Sequence, residues 1–158
     1  MFREMRRGKQ LLPKGDVEDI LKRCITGTLA CIGDDDYPYS VPINFVYNGE
    51  KIYFHSAKAG HKIDAIKNNS KVSFSVIDEE KIISAEYTTY FRSVIAFGKA
   101  RIVEGEEFLE AFRLLVEKYS SDQSEEDKKK IVTGCTHALI IAVDVEHLTG
   151  KQAIELVK

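Results

Sequence analysis

Residues 39–62 read Tyr39-Ser40-Val41-Pro42-Ile43-Asn44-Phe45-Val46-Tyr47-Asn48-Gly49-Glu50-Lys51-Ile52-Tyr53-Phe54-His55-Ser56-Ala57-Lys58-Ala59-Gly60-His61-Lys62, and this stretch decides what kind of fold the chain adopts. Tyr39, Val41, Ile43, Phe45 and Tyr47 alternate with Ser40, Pro42, Asn44 and Val46, the period-two pattern of a strand with one apolar face. Pro42 removes a ladder hydrogen bond. The strand therefore belongs at a sheet edge, at a bulge, or where its backbone faces something other than a strand, a bound ligand included. Asn48-Gly49 predicts a type I′ hairpin into a second strand, Lys51 to Ser56. After Gly60 the pattern becomes the first turn of a short helix, His61-Lys62-Ile63-Asp64-Ala65-Ile66, ending near Asn68-Asn69.

The charge at that helix start is unusual. Unpaired N–H groups and a partial positive charge favour carboxylates there, yet the chain places Lys58, His61 and Lys62. One reading is an anion, a phosphate foremost, held by backbone N–H groups and neutralised by the basic side chains. The other is an ordinary exposed first turn, where such residues cost only about a few tenths of a kcal/mol.

Working outward, residues 1–15 form a basic N-terminal arm, and Asp16 caps a short helix over Val17–Cys24 whose Val17, Ile20 and Leu21 share one face. That helix reads as a brace outside the core. Ile25–Ile32 is strand-like and leads into the acidic turn Gly33-Asp34-Asp35-Asp36, which lacks the ligand spacing of a calcium loop. Strands follow at 71–78 and 90–103, the second long enough to bend around a barrel, with Gly98 as the kink. Glu104, Glu106 and Glu107 open an amphipathic helix reaching Ser120, with Phe108, Leu109, Phe112, Leu115, Val116 and Tyr119 as its stripe. A polar helix over Ser124–Val132 and a strand over His137–Val145 complete the pattern, with His137 read as packed. About six strands joined by hairpins and short helices predict a small antiparallel barrel with peripheral helices.

Bulk properties exclude several classes. With 158 residues, 44% hydrophobic and 30% charged, the chain suits one domain over residues 1–158 with its own core. A net charge of -2 with interspersed signs carries no footprint for nucleic acid. No apolar run approaches the roughly 20 residues of a membrane span, and the N-terminus has no signal-peptide pattern, so the expected location is cytoplasmic. Cys24, Cys31 and Cys135 are odd in number without a CxxC spacing, against a disulfide framework or a zinc site. Tyr37, Tyr39 and Phe45 read as core or interface aromatics, with stacking on a bound ring as the alternative.

Three segments, Tyr37–Tyr47, Ile52–Lys62 and Ser93–Ala100, together resemble a known family. They are similar to the flavin-binding split-barrel superfamily, and within it to the branch related to nitroimidazole-resistance proteins, distant relatives of pyridoxamine 5′-phosphate oxidase. The resemblance runs from Arg6-Arg7 to Thr149-Gly150-Lys151, with residues 37–62 its most specific block. It implies a mainly β fold, a six-stranded antiparallel split β-barrel with flanking helices, and a homodimer with two FMN molecules at the subunit interface. The strand would run along the isoalloxazine ring, bringing the backbone of Val41, Pro42, Ile43 and Asn44 and the side chains of Ser40 and Asn44 to it. The FMN phosphate would fall to His55, Ser56, Gly60, His61 and Lys62, with Lys58 joining them through the anion reading. Lys62 matches a phosphate-binding Lys of the oxidase, whereas His61 stands where that enzyme has an Arg. Imidazole still donates a hydrogen bond when neutral, so the clamp weakens at high pH without being lost. Ser93, with Arg92, would approach from the adjacent strand, where the oxidase has a Gln, and Lys151 is a further flavin candidate.

Two departures limit the resemblance. Val41 and Pro42 occupy the place of the oxidase's Arg-rich segment, and Gly150-Lys151-Gln152-Ala153 lacks its closing Trp and Arg pattern. Pyridoxamine phosphate oxidation is therefore not the expected activity. The expectation is an FMN-dependent oxidoreductase acting on small electron-poor compounds such as nitro-aromatics, with His55 and His61 the candidates for an active part. A non-catalytic flavin sensor or store, and a barrel using haem or deazaflavin F420 instead, stay open as alternatives. A metal site at His55 and His61 lacks a supporting carboxylate or Cys. Lys99 and Arg101 share a strand face with Ser93 and point to solvent or to a second subunit.

Overall fold

The structure, a computed structural model, describes residues 1–157. Seven strands form: β1 Thr26–Ile32, β2 Pro38–Asn44, β3 Val46–Tyr47, β4 Lys51–Ala57, β5 Lys71–Ile83, β6 Thr88–Val103 and β7 Ala138–Gln152. Four helices flank them: α1 Lys14–Arg23, α2 His61–Asn68, α3 Gly105–Tyr119 and α4 Glu125–Gly134. Every pairing is antiparallel, in the order β2-β1-β5-β6-β7-β4-β3. The edge strands β2 and β3 are consecutive in the chain, with Phe45 alone between them. The sheet thus curls until its two edges share one residue without closing, the split-barrel arrangement.

The seventh strand arises at that residue. The single strand expected over 39–47 changes partner: β2 pairs with β1 as far as Asn44, while Val46 and Tyr47 pair with Tyr53 and Ile52 of β4. A chain that switches neighbours must bend, and the alternation fails there. Phe45, Val46 and Tyr47 are all buried.

Tyr39, Val41 and Ile43 of β2 face the main core, which holds Leu29, Phe54, Phe74, Val94 and Ile141 among others. Phe45 meets Phe74 edge-on, with ring centroids 4.9 Å apart. Full burial of side chains of this size contributes about 1.5–3 kcal/mol each. Helix α1 enters the same core through Val17, Ile20 and Leu21, none more than 4% exposed, so it is a core element rather than an outer brace. It starts at Lys14 with Pro13 as the N-cap instead of at an Asp16 cap, because the Pro13 carbonyl accepts from Val17 N–H at 3.1 Å and closes the first turn before Asp16 could cap one. Helix α2 adds Ile63, Ala65 and Ile66 to this core. Helix α3 covers a second cluster, setting Ala111 and Leu115 against Val46, Tyr53, Ile140 and Ala142. Ser124 caps α4 by accepting from Asp127 N–H.

The connection from β3 to β4 is a hairpin but not a two-residue type I′ turn. Gly49 has φ +105° while Asn48 does not reach positive φ; the Asn48 side chain instead accepts from the N–H groups of Glu50 (3.0 Å) and Lys51 (2.8 Å). In β6 the register shifts between Phe97 and Gly98, and a Cβ at Gly98 would stand 2.2 Å from the Asp144 carbonyl oxygen. Glycine at the kink is what lets β6 and β7 approach. β5 and β6 run past their expected ends as a two-stranded ribbon to the Ser84–Tyr87 turn. β7 continues beyond Val145 to Gln152, where the N-terminal arm joins it through Leu12 N–H donating to Gly150 O at 3.0 Å. His137 lies just outside β7 and is exposed, not packed.

Candidate functional site

Strand pairing leaves two backbone edges free that face the same opening. Among the described residues β2 has β1 on one side and no strand on the other. In β4 the pairing with β3 stops at Tyr53, so residues 54–57 pair with β7 alone. The two free edges diverge from Phe45 and bound a wedge-shaped cleft. Ser40, Pro42 and Asn44 point their side chains outward from β2 and are exposed, whereas Val41 and Ile43 turn their side chains inward to the core.

The loop Lys58–Gly60 and the start of α2 border the far end of this cleft. Gly60 holds φ +135°, a conformation side chains resist, and no side chain caps the helix. Its first N–H groups are thus available to an anion. Ser56, 4% exposed, has a hydroxyl without a hydrogen-bond partner among the described residues. Lys62 is half-buried and Lys58 exposed, and neither forms an ion pair among the described residues. His55 points away from the core and is exposed, opposite Ile140 of β7. Together Ser56, Lys58, Lys62 and the uncapped helix start make a donor set that a phosphate would satisfy, so these residues fit the phosphate end of a flavin nucleotide.

His61 is engaged elsewhere. Its ring packs on Tyr39 with centroids 4.1 Å apart, and its Nε2 lies 4.0 Å from Asp34 Oδ2. Gly33 makes room for it, since a Cβ there would stand 2.8 Å from that nitrogen. His61 thereby fastens α2 to β2 and to the acidic turn, and Tyr39 serves as the platform for that imidazole.

Arg92, Ser93 and Lys151 form a second group. Ser93 pairs with Ile77 on one side and Lys151 on the other, whereas Ser56 lies opposite Leu139. From Leu139 to Lys151 is roughly 40 Å along an extended strand. β7 lies between β4 and β6, so Ser93 does not approach from an adjacent strand within one chain. In this second group Arg92 Nε is buried without a partner among the described residues, and the Lys151 ammonium lies 5.5 Å from the Phe91 ring centre. Gln10, 3% exposed, donates to Gln152 O at 3.0 Å but leaves its own Oε1 unpartnered. Lys99 and Arg101 form ion pairs, Lys99 with Glu146 at 3.7 Å and Arg101 with Asp144 at 2.6 Å and Glu107 at 2.7 Å.

Lys118 and Tyr119 tie Phe45 to the residues just before β1, a role hidden in the sequence because Tyr119 fits the apolar stripe of α3. Phe45 N–H donates to the Tyr119 hydroxyl at 2.9 Å, and that hydroxyl lies 2.6 Å from Phe45 O and 2.7 Å from Ile25 O. The Lys118 ammonium donates to Phe45 O at 3.0 Å and to Cys24 O at 2.5 Å, and sits 4.4 Å from the Phe45 ring centre. Burial pushes this ammonium below the ordinary lysine range and pushes the Tyr119 hydroxyl above its own. Among the described residues, no group of three or more His, Cys, Asp or Glu could hold a metal ion. No described helix is long and apolar enough to cross a membrane.

The family model described as pyridoxamine 5′-phosphate oxidase matches residues 13–152. Among solved structures, the chain is similar to a candidate 5-nitroimidazole antibiotic resistance protein of Bacteroides thetaiotaomicron. The two are 25% identical with a TM-score of 0.74, over 90% of this chain and 86% of that one. It is also similar to the conserved hypothetical protein Rv2991 of Mycobacterium tuberculosis, 21% identical with a TM-score of 0.80 over 97% of this chain and 92% of that one. A third likeness is to the FAD and haem binding protein of Mycobacterium smegmatis, 16% identical with a TM-score of 0.73 over 92% of this chain and 74% of that one. The last two likenesses speak to the fold alone.

Proposed function

The chain belongs to the pyridoxamine 5′-phosphate oxidase family, and from that membership we propose that it is a flavoprotein that holds FMN in the cleft between β2 and β4 and reduces small electron-poor compounds. The observation that carries this reading is the buried, unpartnered hydroxyl of Ser56 at the strand end, beside Lys58, Lys62 and an uncapped helix start. A buried polar group without a partner costs about 1–3 kcal/mol, and a phosphate oxygen supplies the missing partner. Ser56, Lys58, Gly60 and Lys62 hold the phosphate, with His55 and His61 beside it. The free edge of β2, from Ser40 to Asn44, meets the ring. Bound there, the flavin supplies one- or two-electron transfer, and the protein contributes orientation and hydrogen bonds.

The same reading calls for a homodimer. Arg92, Ser93 and Lys151 are remote from Ser56 within one chain, so they act at the cleft of a second copy. The unpartnered Arg92 Nε supports a contact that one chain leaves unmade. The likeness to the nitroimidazole-resistance candidate favours a nitro-aromatic substrate.

A non-catalytic flavin module is the second reading, favoured by the absence of any acid or base among Ser40, Pro42 and Asn44, the outward side chains at the centre of β2. FMN titration of the purified protein, followed by visible absorption, tests the common premise. A bound-flavin spectrum is the expected result, and its absence after FMN loading overturns the proposal. Oxidation of NAD(P)H that depends on an added nitroimidazole then separates the enzyme from the module.

A further inference from the structure

One sheet face is left out of both cores. Across β2, β1, β5, β6 and β7 the registers align Pro42, Thr28, Ser75, Ile95 and Thr149 in one row. Ser40, Ala30, Ser73, Phe97 and His147 form the row on one side of it, and Ile77, Ser93 and Lys151 lie in the row on the other side. Side chains of such rows share a face. Here it is the outer face: Ile77, Ile95 and Phe97 are exposed, and with Ala30 they belong to neither core cluster. Phe2 of the N-terminal arm lies over one corner, its ring stacked on His147 (4.9 Å, 5°) and 5.6 Å from Phe97.

Five strands about 4.8 Å apart and seven residues deep, with the β5–β6 ribbon beyond them, present roughly 700 Å². A stable interface takes about 800 Å² per partner, and a two-stranded ribbon is marginal without a cover. A second copy is the occupant, because Ser93 and Lys151 stand on this face and the flavin reading needs them at another chain's β2. That need selects the symmetry. Packed sheets keep their strands roughly aligned, and copies of one chain close about a two-fold axis. β5 is the middle strand of the five, so an axis along it lays β7 of one copy over β2 of the other with the rows unshifted. An axis across the strands would set β2 on β2 and β7 on β7, leaving Lys151 away from the cleft. With the axis along β5, Lys151 meets Asn44, Thr149 meets Pro42 and His147 meets Ser40.

We propose that this face joins two copies about an axis along β5, and that His147 of the second copy, oriented by Phe2 and Phe97, completes the cofactor site at Ser40. Ser40 follows Tyr39, on which His61 at the start of α2 packs, so His147 arrives at the phosphate end of the cleft. Its imidazole N–H donates to the nucleotide there. The choice of axis rests on the flavin reading; its test does not.

Cross-linking of the apoprotein tests the register. Within one chain Ser40 and His147 are four strand spacings apart, about 19 Å, whereas across the interface the two sheets lie about 10 Å apart. Ser40→Cys combined with His147→Cys, treated with a bis-maleimide spanning that ~10 Å gap, should give covalent dimers. Pro42→Cys combined with Thr149→Cys should do the same while leaving the His147 ring in place, so the register stays decidable if the first pair fails to fold. Each single variant should give no more dimer than the wild type with its Cys24, Cys31 and Cys135. A monomer in sedimentation, no cross-linking in a folded double variant, or dimers through His147→Cys alone overturns the proposal, the last because it sets β7 on β7. In FMN titration, His147→Ala should weaken binding about three- to tenfold and His147→Gln, which keeps a donor, should recover most of it. Unchanged affinity removes His147 from the site. If the wild type takes up no FMN, the flavin reading falls while cross-linking still decides which faces meet.

Discussion

Replacing Ser56 by alanine should move stability and cofactor affinity in opposite directions. The Ser56 side chain is 4% exposed and its hydroxyl meets no partner, so the apoprotein carries the desolvation cost of that group. That cost is about 1–3 kcal/mol, offset in part by the small void the lost oxygen leaves. Ser56→Ala should therefore stabilise the apoprotein by about 1 kcal/mol, a rise of about 2–4 °C in Tm for a domain of this size. With FMN the sign reverses. The hydroxyl that was unpartnered becomes a donor to a phosphate oxygen, and its loss should weaken binding by about 1.5–3 kcal/mol, roughly 10- to 150-fold. Thermal melts with and without saturating FMN, alongside fluorescence titration, measure both quantities. An apoprotein destabilised by the substitution, or an unchanged FMN affinity, would refute the assignment of this hydroxyl to the phosphate.

Lys62→Ala should weaken FMN binding by about 1–3 kcal/mol without altering the apoprotein melt, and equal FMN affinity would remove Lys62 from the site. Gly98→Ala should destabilise the fold by at least about 2 kcal/mol in urea unfolding, because its Cβ would stand 2.2 Å from the Asp144 carbonyl oxygen and force β6 from β7. Glu107 offers a pH test: hydrogen bonds from Arg101, then from Tyr53, hold its carboxyl at about 2 instead of 4.5. A depressed carboxyl stabilises the fold above its ordinary value and loses that contribution as pH falls from about 4.5 to about 2. Solvent screening at this partly exposed side chain reduces the contribution to about 1 kcal/mol. Wild type should therefore lose its advantage over Glu107→Gln across that window, and a constant difference in unfolding free energy would count against the pairing.

Much of the architecture was legible in local pattern. The alternation of β2, the Gly-bounded hairpin and the kink at Gly98 each follow from a periodicity or a steric need expressed within a few residues, whereas the stripe expected on α3 holds only in part: Leu109 is exposed and Ala111 is buried instead. The family resemblance of residues 37–62 pointed to the split barrel, which the strand order displays. Less legible were properties that depend on what a residue meets from far along the chain. The apolar face of α1 looks the same whether it braces a surface or enters the core, and the type I′ signal of Asn48-Gly49 gave way to a side-chain cap. His61 has the spacing of an anion ligand, yet it lies against Tyr39 and Asp34, contacts with no local signature.

The sequence by itself determined that residues 39–62 supply an apolar strand with a proline at its outer edge, a hairpin, and a basic helix start after a glycine. Those features rest on side-chain alternation and backbone preference, which act over a few residues. Only the tertiary structure decided that Phe45 is the point where one strand becomes two sheet edges, and that Tyr119 and Lys118 hold it there. It also decided that Ser56 is buried without a partner and that Arg92 and Ser93 are remote from it within one chain. Each of these depends on which strand lies beside which, and strand order is set by the closing of the whole sheet around its core, which no local stretch encodes.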